Sequence, residues 1–259
     1  MLPNVAIIIT NYNYGEYLMD SINSALNQNY EGDLRVYVVD DGSTDDSWDK
    51  ICNITEQVSF EELNEQYYCG TIEKRNSGNL YAFRINNSGA SVGRNVAIWE
   101  AWRWADIFGI LDSDDEYFED KTNQFVEKLI EHEEIGVVYG DYDNVNKLYS
   151  KREFKQSYSR EKLLNNCIVH SGSLIKKTAI EKVILPNKEI FDSRLHGPAG
   201  HGFIGCTEDY DLWLRLSKVC MMTHIPNKLA IAKETGKNQS ARMTPEIFRK
   251  NSEILSTRI

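Results

Sequence analysis

The chain lacks the cysteine pattern of proteins that are held together by disulfides or zinc. Its 259 residues include five cysteines, which are scattered and form no Cys-x-x-Cys pair. An odd and scattered set disfavours a disulfide framework, and the missing pair spacing disfavours a zinc site. We therefore expect reduced thiols and a cytoplasmic location.

Long hydrophobic runs and an excess of basic charge are also missing. No segment approaches the roughly 20 apolar residues of a membrane-spanning helix, and residues 5–9 are too few for the core of a signal peptide. We expect no transmembrane segment, and only peripheral contact with the cytoplasmic face of a membrane stays open. The 29 Lys and Arg face 39 Asp and Glu, so the net charge of −10 disfavours nucleic acid as a partner.

The chain does have a regular alternation of β-rich and amphipathic segments. Residues 5–9 and 34–39 predict buried strands, and each is followed by a segment with helical spacing of its apolar residues. This order predicts an α/β fold with a mainly parallel sheet. Two further strands are expected at 67–72 and 80–85, and a hairpin at 141–157.

An apolar run that leads directly into carboxylates is the stretch around which the chain is organised. Residues 107–111 predict a buried strand, and Asp112, Asp114 and Asp115 follow within four positions. Ligands of open α/β sheets bind beyond the carboxyl ends of strands. Crowded carboxylates favour a neutralising cation, and their oxygen atoms suit Mg²⁺ or Mn²⁺. A solvated acidic turn, or a helix cap at Asp114, is the alternative.

Polar residues also stand at the predicted start of a helix late in the chain. Leu212, Leu216 and Val219 have helical spacing, so Thr207 is expected to cap this helix. Glu208 and Asp209 then fall in the first turn, where acids interact favourably with the helix dipole.

Five short motifs occur in a fixed order along the chain. They are Thr-Asn-Tyr-Asn at 10–13, Val-Val-Asp-Asp-Gly-Ser-Thr-Asp at 38–45, Gly-Arg-Asn at 93–95, Leu-Asp-Ser-Asp-Asp at 111–115 and Thr-Glu-Asp-Tyr-Asp-Leu-Trp-Leu-Arg at 207–215. Together they resemble the family 2 glycosyltransferases of the GT-A fold, and the resemblance covers most of the chain.

The resemblance implies a Rossmann-like, mixed and mainly parallel sheet flanked by helices, with a smaller sheet on the acceptor side. It implies one domain over residues 1–232, followed by a tail at 233–259. Within the domain, residues 1–116 would form the nucleotide-sugar-binding half and residues 117–232 the acceptor-binding half.

The resemblance also implies an activity and a set of roles. The enzyme would move a sugar from a nucleotide-sugar to a hydroxyl of a glycan or glycolipid, with inversion at the anomeric carbon. In this family the nucleotide is usually UDP. Asp209 would be the general base, and Asp114 and Asp115 would hold Mg²⁺ or Mn²⁺. The donor-binding residues would be Thr10, Tyr12, Asp41, Arg94, Asp112 and Asp114. The acceptor-contacting residues would be Glu208 and His170.

Several of these residues have a plainer alternative role. Asp41 suits turn and cap chemistry, Arg94 suits a salt bridge to the acidic strand end, and His170 suits a structural hydrogen bond. Glu208 and Asp209 suit dipole placement alone.

The chain departs from the family pattern near its end. Many relatives have a His after the last core strand, and residues 232–240 contain none, so Lys233 or Lys237 is the candidate for its charge. The glycine-rich residues 192–205, with His196 and His201, are expected to form a mobile loop that covers the donor.

Two other functions stay open. A sugar nucleotidyltransferase shares a similar sheet, but its first loop is glycine-rich and basic, whereas residues 10–15 contain one glycine and no basic residue. A non-catalytic module that binds sugar nucleotides is the second, and the intact carboxylates disfavour it.

Overall fold

The computed structural model describes residues 1–145, 155–195, 207–236, 251 and 253–259. The first part of the chain contains β1 (Val5–Asn11), α1 (Gly15–Leu26), β2 (Leu34–Asp40), α2 (Ser47–Ile54), β3 (Glu56–Glu65), β4 (Tyr68–Ser77), β5 (Leu80–Ile85), α3 (Ala90–Ala101) and β6 (Ile107–Asp112). The part that follows contains β7 (Glu116–Tyr117), α4 (Lys121–Glu131), β8 (Ile135–Val145), α5 (Arg160–Asn165), β9 (Leu174–Lys176), α6 (Lys177–Ile180), a 3₁₀ turn (Ser193–Leu195), α7 (Glu208–Leu216) and β10 (Met221–Lys233).

One ten-stranded mixed sheet runs through both parts, in the order β3-β4-β5-β2-β1-β6-β9-β8-β10-β7. The central strands β5, β2, β1 and β6 are parallel, and β9 lies antiparallel between β6 and β8. Strand β10 then runs parallel to β8. The predicted α/β fold class is confirmed, and the described strands after β6 join the same sheet.

The central strand β1 is buried on both faces because helices cover both sides of the sheet. Its residues alternate between two cores: Ala6 and Ile8 pack on the side of α3 and α7, whereas Val5, Ile7 and Ile9 pack on the side of α1 and α4. The period of two in a strand sends neighbouring side chains to opposite faces. This explains why the run is continuously apolar in the sequence.

Three expectations about element bounds can be set beside the structure. Residues 141–145 extend β8 within the sheet, and residues 146–154, which make up most of the expected hairpin, lie outside the described part. Lys233, the first residue of the expected tail, is the last residue of β10, and the tail as a separate segment stays a prediction. Thr207 stands at the N-cap of α7, but its side chain makes no capping hydrogen bond.

Strands β3 and β10 were not expected from the sequence. Strand β3 forms an antiparallel hairpin with β4 at one edge of the sheet and is largely exposed, so it has no apolar alternation. Strand β10 contains Pro226, and its register with β8 shifts between Ile225 and Lys228. Proline has no N–H to donate, so a strand tolerates it at such an irregularity.

In the described part of the chain no helix has the length and apolar character to cross a bilayer. The cytoplasmic location and the division into halves and tail stay predictions.

Candidate active site

The carboxyl ends of β1, β2 and β6 lie side by side and bring the first group of polar residues together. The parallel register places Thr10 opposite Asp112, and Asn11 opposite Asp40. Helix α3 packs closely over this edge, because a Cβ added at Gly93 would lie 3.1 Å from Thr10 Cγ2. The side chain of Tyr12, in the loop after β1, is partly exposed.

The loops after β1 and β2 are tied to each other by side-chain hydrogen bonds. Asn11 Nδ2 donates to Asp40 Oδ1 at 3.0 Å and to Ser43 Oγ at 3.1 Å. The backbone N–H groups of Thr44 and Asp45 donate to Asn13 Oδ1. Burial raises the pKa of Asp40, and the hydrogen bonds from Ser43 and Asn11 partly offset this. These contacts fix the edge before any ligand arrives.

Asp41 holds the start of α3. Its carboxylate accepts hydrogen bonds from the backbone N–H groups of Ser88 at 2.6 Å and Gly89 at 2.8 Å. Gly89 has a φ of +95°, a conformation that L side chains rarely adopt. The cap role that the sequence left open for Asp41 is therefore present in the structure, and its contact with a nucleoside stays a prediction.

Arg94 is the junction of the site, because its guanidinium contacts three carboxylates. Its Nη1 lies 2.6 Å from Glu208 Oε1 and 3.1 Å from Asp209 Oδ1, and its Nη2 lies 2.8 Å from Asp112 Oδ1. Burial disfavours the charge, but the carboxylates of Asp209, Asp112 and Glu208 outweigh it and raise the pKa of Arg94. The salt-bridge alternative for Arg94 is thus the observed arrangement, and donor binding by this residue stays a prediction.

This junction joins two elements that lie far apart in the sequence. Asp112 ends β6, whereas Glu208 and Asp209 occupy the first turn of α7. The Asp209 side chain is 21% exposed and that of Glu208 only 4%. Asp209 is therefore the member of this pair that a bound molecule reaches more easily.

Asp114 and Asp115 form the acidic end of the cluster. Burial and the nearby Asp112 raise the pKa of Asp114 to about 7. Removal from water, and the charges of Asp114 and Asp112, raise the pKa of Asp115 well above its usual value. Burial makes the larger contribution and repulsion between the carboxylates adds to it, so a cation would stabilise their charged forms.

The acidic pair fits a divalent cation that arrives with a phosphate ligand. Among the described residues no group of three or more His, Cys, Asp or Glu is arranged to hold a metal by itself. Magnesium commonly binds through one or two carboxylates together with substrate phosphates and waters. Asp114 and Asp115 meet that requirement.

Lys233, which the sequence offered as a source of charge, reaches this cluster. Its backbone N–H donates to Asp115 Oδ1 at 3.1 Å, and its Nζ lies 2.6 Å from Glu116 and 3.2 Å from Asp20. Burial acts against the charge, but the bonds to Glu116 and Asp20 prevail and raise the pKa of Lys233. Lys237, His196 and His201 lie outside the described residues.

His170 is buried behind the cluster. Its Nε2 lies 2.8 Å from the carbonyl oxygen of Gly140, and its ring centroid lies 4.0 Å from that of Tyr142. Burial lowers the pKa of His170 well below its usual value, so the ring is neutral. The structural hydrogen bond foreseen for His170 is present, and its acceptor contact stays a prediction.

Two residues of the site were not found from the sequence. Ser171 Oγ donates to Asp112 Oδ2 at 2.6 Å, so both oxygens of Asp112 are engaged. Tyr142 lies near the same carboxylates: burial, with the charges of Asp115 and Asp112, raises its pKa, and a hydrogen bond with Ser171 acts against this. Neither residue belongs to a motif, since only the folding of β8 and β9 brings them here.

Comparison with known proteins assigns the chain to a family. The family model described as Glycosyl transferase family 2 matches residues 6–184, more than half of the chain. The chain therefore belongs to glycosyltransferase family 2. This confirms the predicted family and the prediction that the protein is a glycosyltransferase.

Relatives and solved structures agree with this assignment. The chondroitin synthase of Pasteurella multocida (strain Pm70) is 28% identical over 234 residues, 88% of this chain and 20% of the synthase. The structure of S. aureus TarS 1-349 in complex with UDP-GlcNAc matches with a TM-score of 0.65 at 17% identity, over 98% of this chain and 66% of that TarS fragment.

A third match comes from a complex that contains a metal ion. The mannosyltransferase PcManGT from Pyrobaculum calidifontis, in complex with GDP-Man and Mn²⁺, has a TM-score of 0.55 at 17% identity, over 93% of this chain and 60% of that one. At these identities the structural matches establish the fold alone. The chain spans less than two thirds of each of the three proteins.

Proposed function

We propose that the chain is an inverting glycosyltransferase that moves a sugar from a UDP-sugar to a hydroxyl of a glycan or glycolipid. The observation that carries this proposal is the Arg94 junction. One guanidinium contacts the end of the acidic strand at Asp112 and the candidate base Asp209. A donor held at the acidic strand end and an acceptor activated by Asp209 would therefore meet in one site.

The proposed reaction is a single displacement at the anomeric carbon. The acceptor oxygen forms a bond to that carbon from the side opposite the diphosphate, and the bond between the carbon and the diphosphate oxygen breaks. The acceptor proton passes to the Asp209 carboxylate. One displacement inverts the anomeric configuration and leaves no covalent intermediate on the enzyme.

The chain's own residues supply orientation and charge for this step. Arg94 holds Asp209 through a charge-assisted hydrogen bond and so keeps the carboxylate beside the acidic strand end. Asp114 and Asp115 would hold Mg²⁺ or Mn²⁺. When bound, such an ion stabilises the charge on the departing nucleoside diphosphate. On the donor side, Thr10, Tyr12 and Asp41 are the proposed contacts to the nucleoside.

UDP is the proposed nucleotide, and a UDP-sugar complex of a protein with this fold supports it. TarS was solved with UDP-GlcNAc, whereas PcManGT was solved with GDP-Man and Mn²⁺. Both nucleotides therefore belong in any test. The acceptor is proposed only as a class, a glycan or glycolipid hydroxyl.

A ligand panel read by thermal shift and by donor hydrolysis tests the proposal. UDP, GDP, UDP-GlcNAc and GDP-Man are each added with Mn²⁺, with Mg²⁺ or with EDTA. We expect the UDP ligands with Mn²⁺ to raise the melting temperature and EDTA to remove the effect, since a ligand stabilises the folded state that binds it. Slow, metal-dependent release of UDP from a UDP-sugar is the expected activity.

The same panel separates the alternatives. Release of pyrophosphate from a nucleoside triphosphate and a sugar phosphate would indicate a nucleotidyltransferase. Binding of UDP-sugars with no turnover of any donor would indicate a non-catalytic module. Stabilisation by GDP ligands alone would overturn the choice of UDP.

A further inference from the structure

Lys121, the first residue of α4, is a buried lysine that the proposed mechanism does not use. Its side chain is fully buried, and its Nζ has no hydrogen-bond partner among the described residues. The ammonium lies 4.1 Å from the centroid of the Tyr117 ring and 4.8 Å from that of Phe125. An isolated ammonium is costly to bury, so its position calls for a balancing charge nearby.

The charge that acts on Lys121 is that of Asp115, one of the two acids of the site. Burial lowers the pKa of Lys121 to about 7, and Asp115 acts in the opposite direction by favouring the charged form. Lys121 in turn acts on Asp115, where it helps to lower a pKa that burial and the other carboxylates raise. Geometry places the ammonium at this end of the site: a Cβ at Gly172 would lie 3.3 Å from Lys121 Nζ, and the neighbouring Ser171 donates to Asp112 Oδ2 at 2.6 Å. At such separations the field of the ammonium acts on the acidic strand end.

Gly172, in the segment that follows His170, packs against the ammonium. A Cβ added at Gly172 would lie 3.3 Å from Lys121 Nζ and 2.7 Å from His170 Cε1. The absence of a side chain at Gly172 thus leaves room for both groups. Since Lys121 is fully buried, we expect it to act on the site through its charge and not by contact with a donor.

We propose that Lys121 is a built-in counter-charge that weakens the hold of Asp114 and Asp115 on a free divalent cation. The metal is then retained only together with the diphosphate of the donor, whose negative charge offsets the ammonium. In thermodynamic terms, the nucleotide and the metal bind with positive coupling, and Lys121 sets a part of that coupling. This inference rests on the proposed function, because it needs a metal and a diphosphate in the site.

The variant Lys121→Met tests this role, because it keeps the length of the side chain and removes the charge. Lys128→Met is the matched control: Lys128 lies on the same helix, is partly exposed and pairs with Glu131 at 2.6 Å. Calorimetric titration and thermal shift with Mn²⁺, each in the absence and in the presence of saturating UDP, give the affinities. Neither measurement depends on turnover.

We expect Lys121→Met to bind Mn²⁺ alone at least about tenfold more tightly than the wild-type protein, because a nearby like charge has been removed. The factor by which UDP strengthens Mn²⁺ binding should fall correspondingly. Lys128→Met should match the wild-type protein in both respects. If Lys121→Met does not fold, Lys121→Gln keeps a polar group and removes the charge in the same way.

Unchanged Mn²⁺ affinity in both Lys121 variants would overturn the inference and leave a structural cation–π role for this lysine. Failure of the proposed function looks different. In that case the wild-type protein itself responds to neither UDP nor Mn²⁺, and the inference falls with it.

Discussion

The donor side of the site and the α7 side are held in place by different kinds of interaction. On the donor side, parallel strand register sets Thr10 beside Asp112 through backbone hydrogen bonds. On the α7 side, buried ion pairs hold the helix in place. Asp211 accepts hydrogen bonds from Arg215 at 2.8 Å and from Arg258 at 2.7 Å. The strand ends of the donor side are therefore set mainly by sheet register, with neutral and carboxylate hydrogen bonds joining their loops, whereas the position of α7 depends on charge balance. Arg94 is the contact between the two.

The largest effect is expected from removing the candidate base. Asp209→Asn should lower turnover about 1000-fold, a typical contribution of a general base. It should leave UDP binding with Mn²⁺ nearly unchanged, because Asp209 is not among the proposed donor or metal contacts and Arg94 keeps its bonds to Asp112 and Glu208. Initial rates and UDP titrations measure the two quantities. Asp49→Asn is the matched control, since Asp49 is an exposed acid in the first turn of α2. Full turnover in Asp209→Asn would show that another group accepts the proton.

Removing the junction should disturb both sides at once. Arg94→Met leaves the carboxylates of Asp112, Glu208 and Asp209 without their shared cation, so we expect a loss of about 3 to 5 kcal/mol in the free energy of unfolding. Urea denaturation measures it. Arg103→Met, an exposed arginine just after the same helix, should change stability by less than about 0.5 kcal/mol. Equal stability of the two variants would mean that the junction is not structural.

The acidic pair should make the metal-free protein sensitive to pH. Folding raises the pKa of Asp114 to about 7, so the folded state binds a proton more tightly than the unfolded state. The contribution of Asp114 to the free energy of unfolding is therefore fully present below the pKa of the unfolded chain, near 4, and is lost as the pH rises through the folded pKa of about 7.

Asp114→Asn removes this cost. With EDTA present, we expect the variant to be more stable than the wild-type protein by about 2 kcal/mol at pH 8 and by less than about 1 kcal/mol at pH 5. Denaturation at both pH values tests the sign. A variant that is less stable than the wild-type protein at pH 8 would show that the ionised carboxylate is stabilised by contacts within the site.

The smallest effect is expected at Arg258, which ties the end of the described chain to the α7 side. Its guanidinium contacts Asp211 at 2.7 Å and Asp192 at 3.0 Å, both fully buried. Each carboxylate keeps a second arginine, so Arg258→Met should cost about 1 to 2 kcal/mol.

The same variant sharpens the contrast between the two sides. UDP affinity with Mn²⁺ should be unchanged in Arg258→Met, because the donor side does not depend on this ion pair. Arg160→Met, at an exposed arginine, is the control. A weaker affinity for UDP in Arg258→Met alone would mean that the two sides are coupled beyond Arg94.

The sequence predicted the donor side well because its elements are fixed by local pattern. Residues 5–9 and 107–111 are continuous apolar runs, and such runs become strands buried on both faces wherever helices cover the sheet. Their polar ends then meet at one edge by topology alone. Knowing the strands is thus enough to expect Thr10 and Asp112 near each other.

The acceptor side was harder to predict because its groups meet only after folding. Ser171 and Tyr142 belong to no motif, and the buried position of Lys121 follows from the packing of α4 against Tyr117 and Phe125. From the sequence, a lysine at the start of a helix is expected to be exposed, since lysine is rarely buried. Charge networks of this kind leave no periodic pattern in the sequence, so a search for hydrophobic periodicity does not find them.

Strand β10 has a practical consequence for the choice of fragments. It lies beyond residue 184, where the family match ends, and pairs along β8. A protein truncated at that limit would keep the carboxyl ends of β1, β2 and β6, would lose α7, and would leave β8 without its neighbour on one side. An uncovered strand edge invites pairing between molecules, so such a fragment should aggregate on expression. Fragments intended for crystallisation should therefore retain residues 221–233.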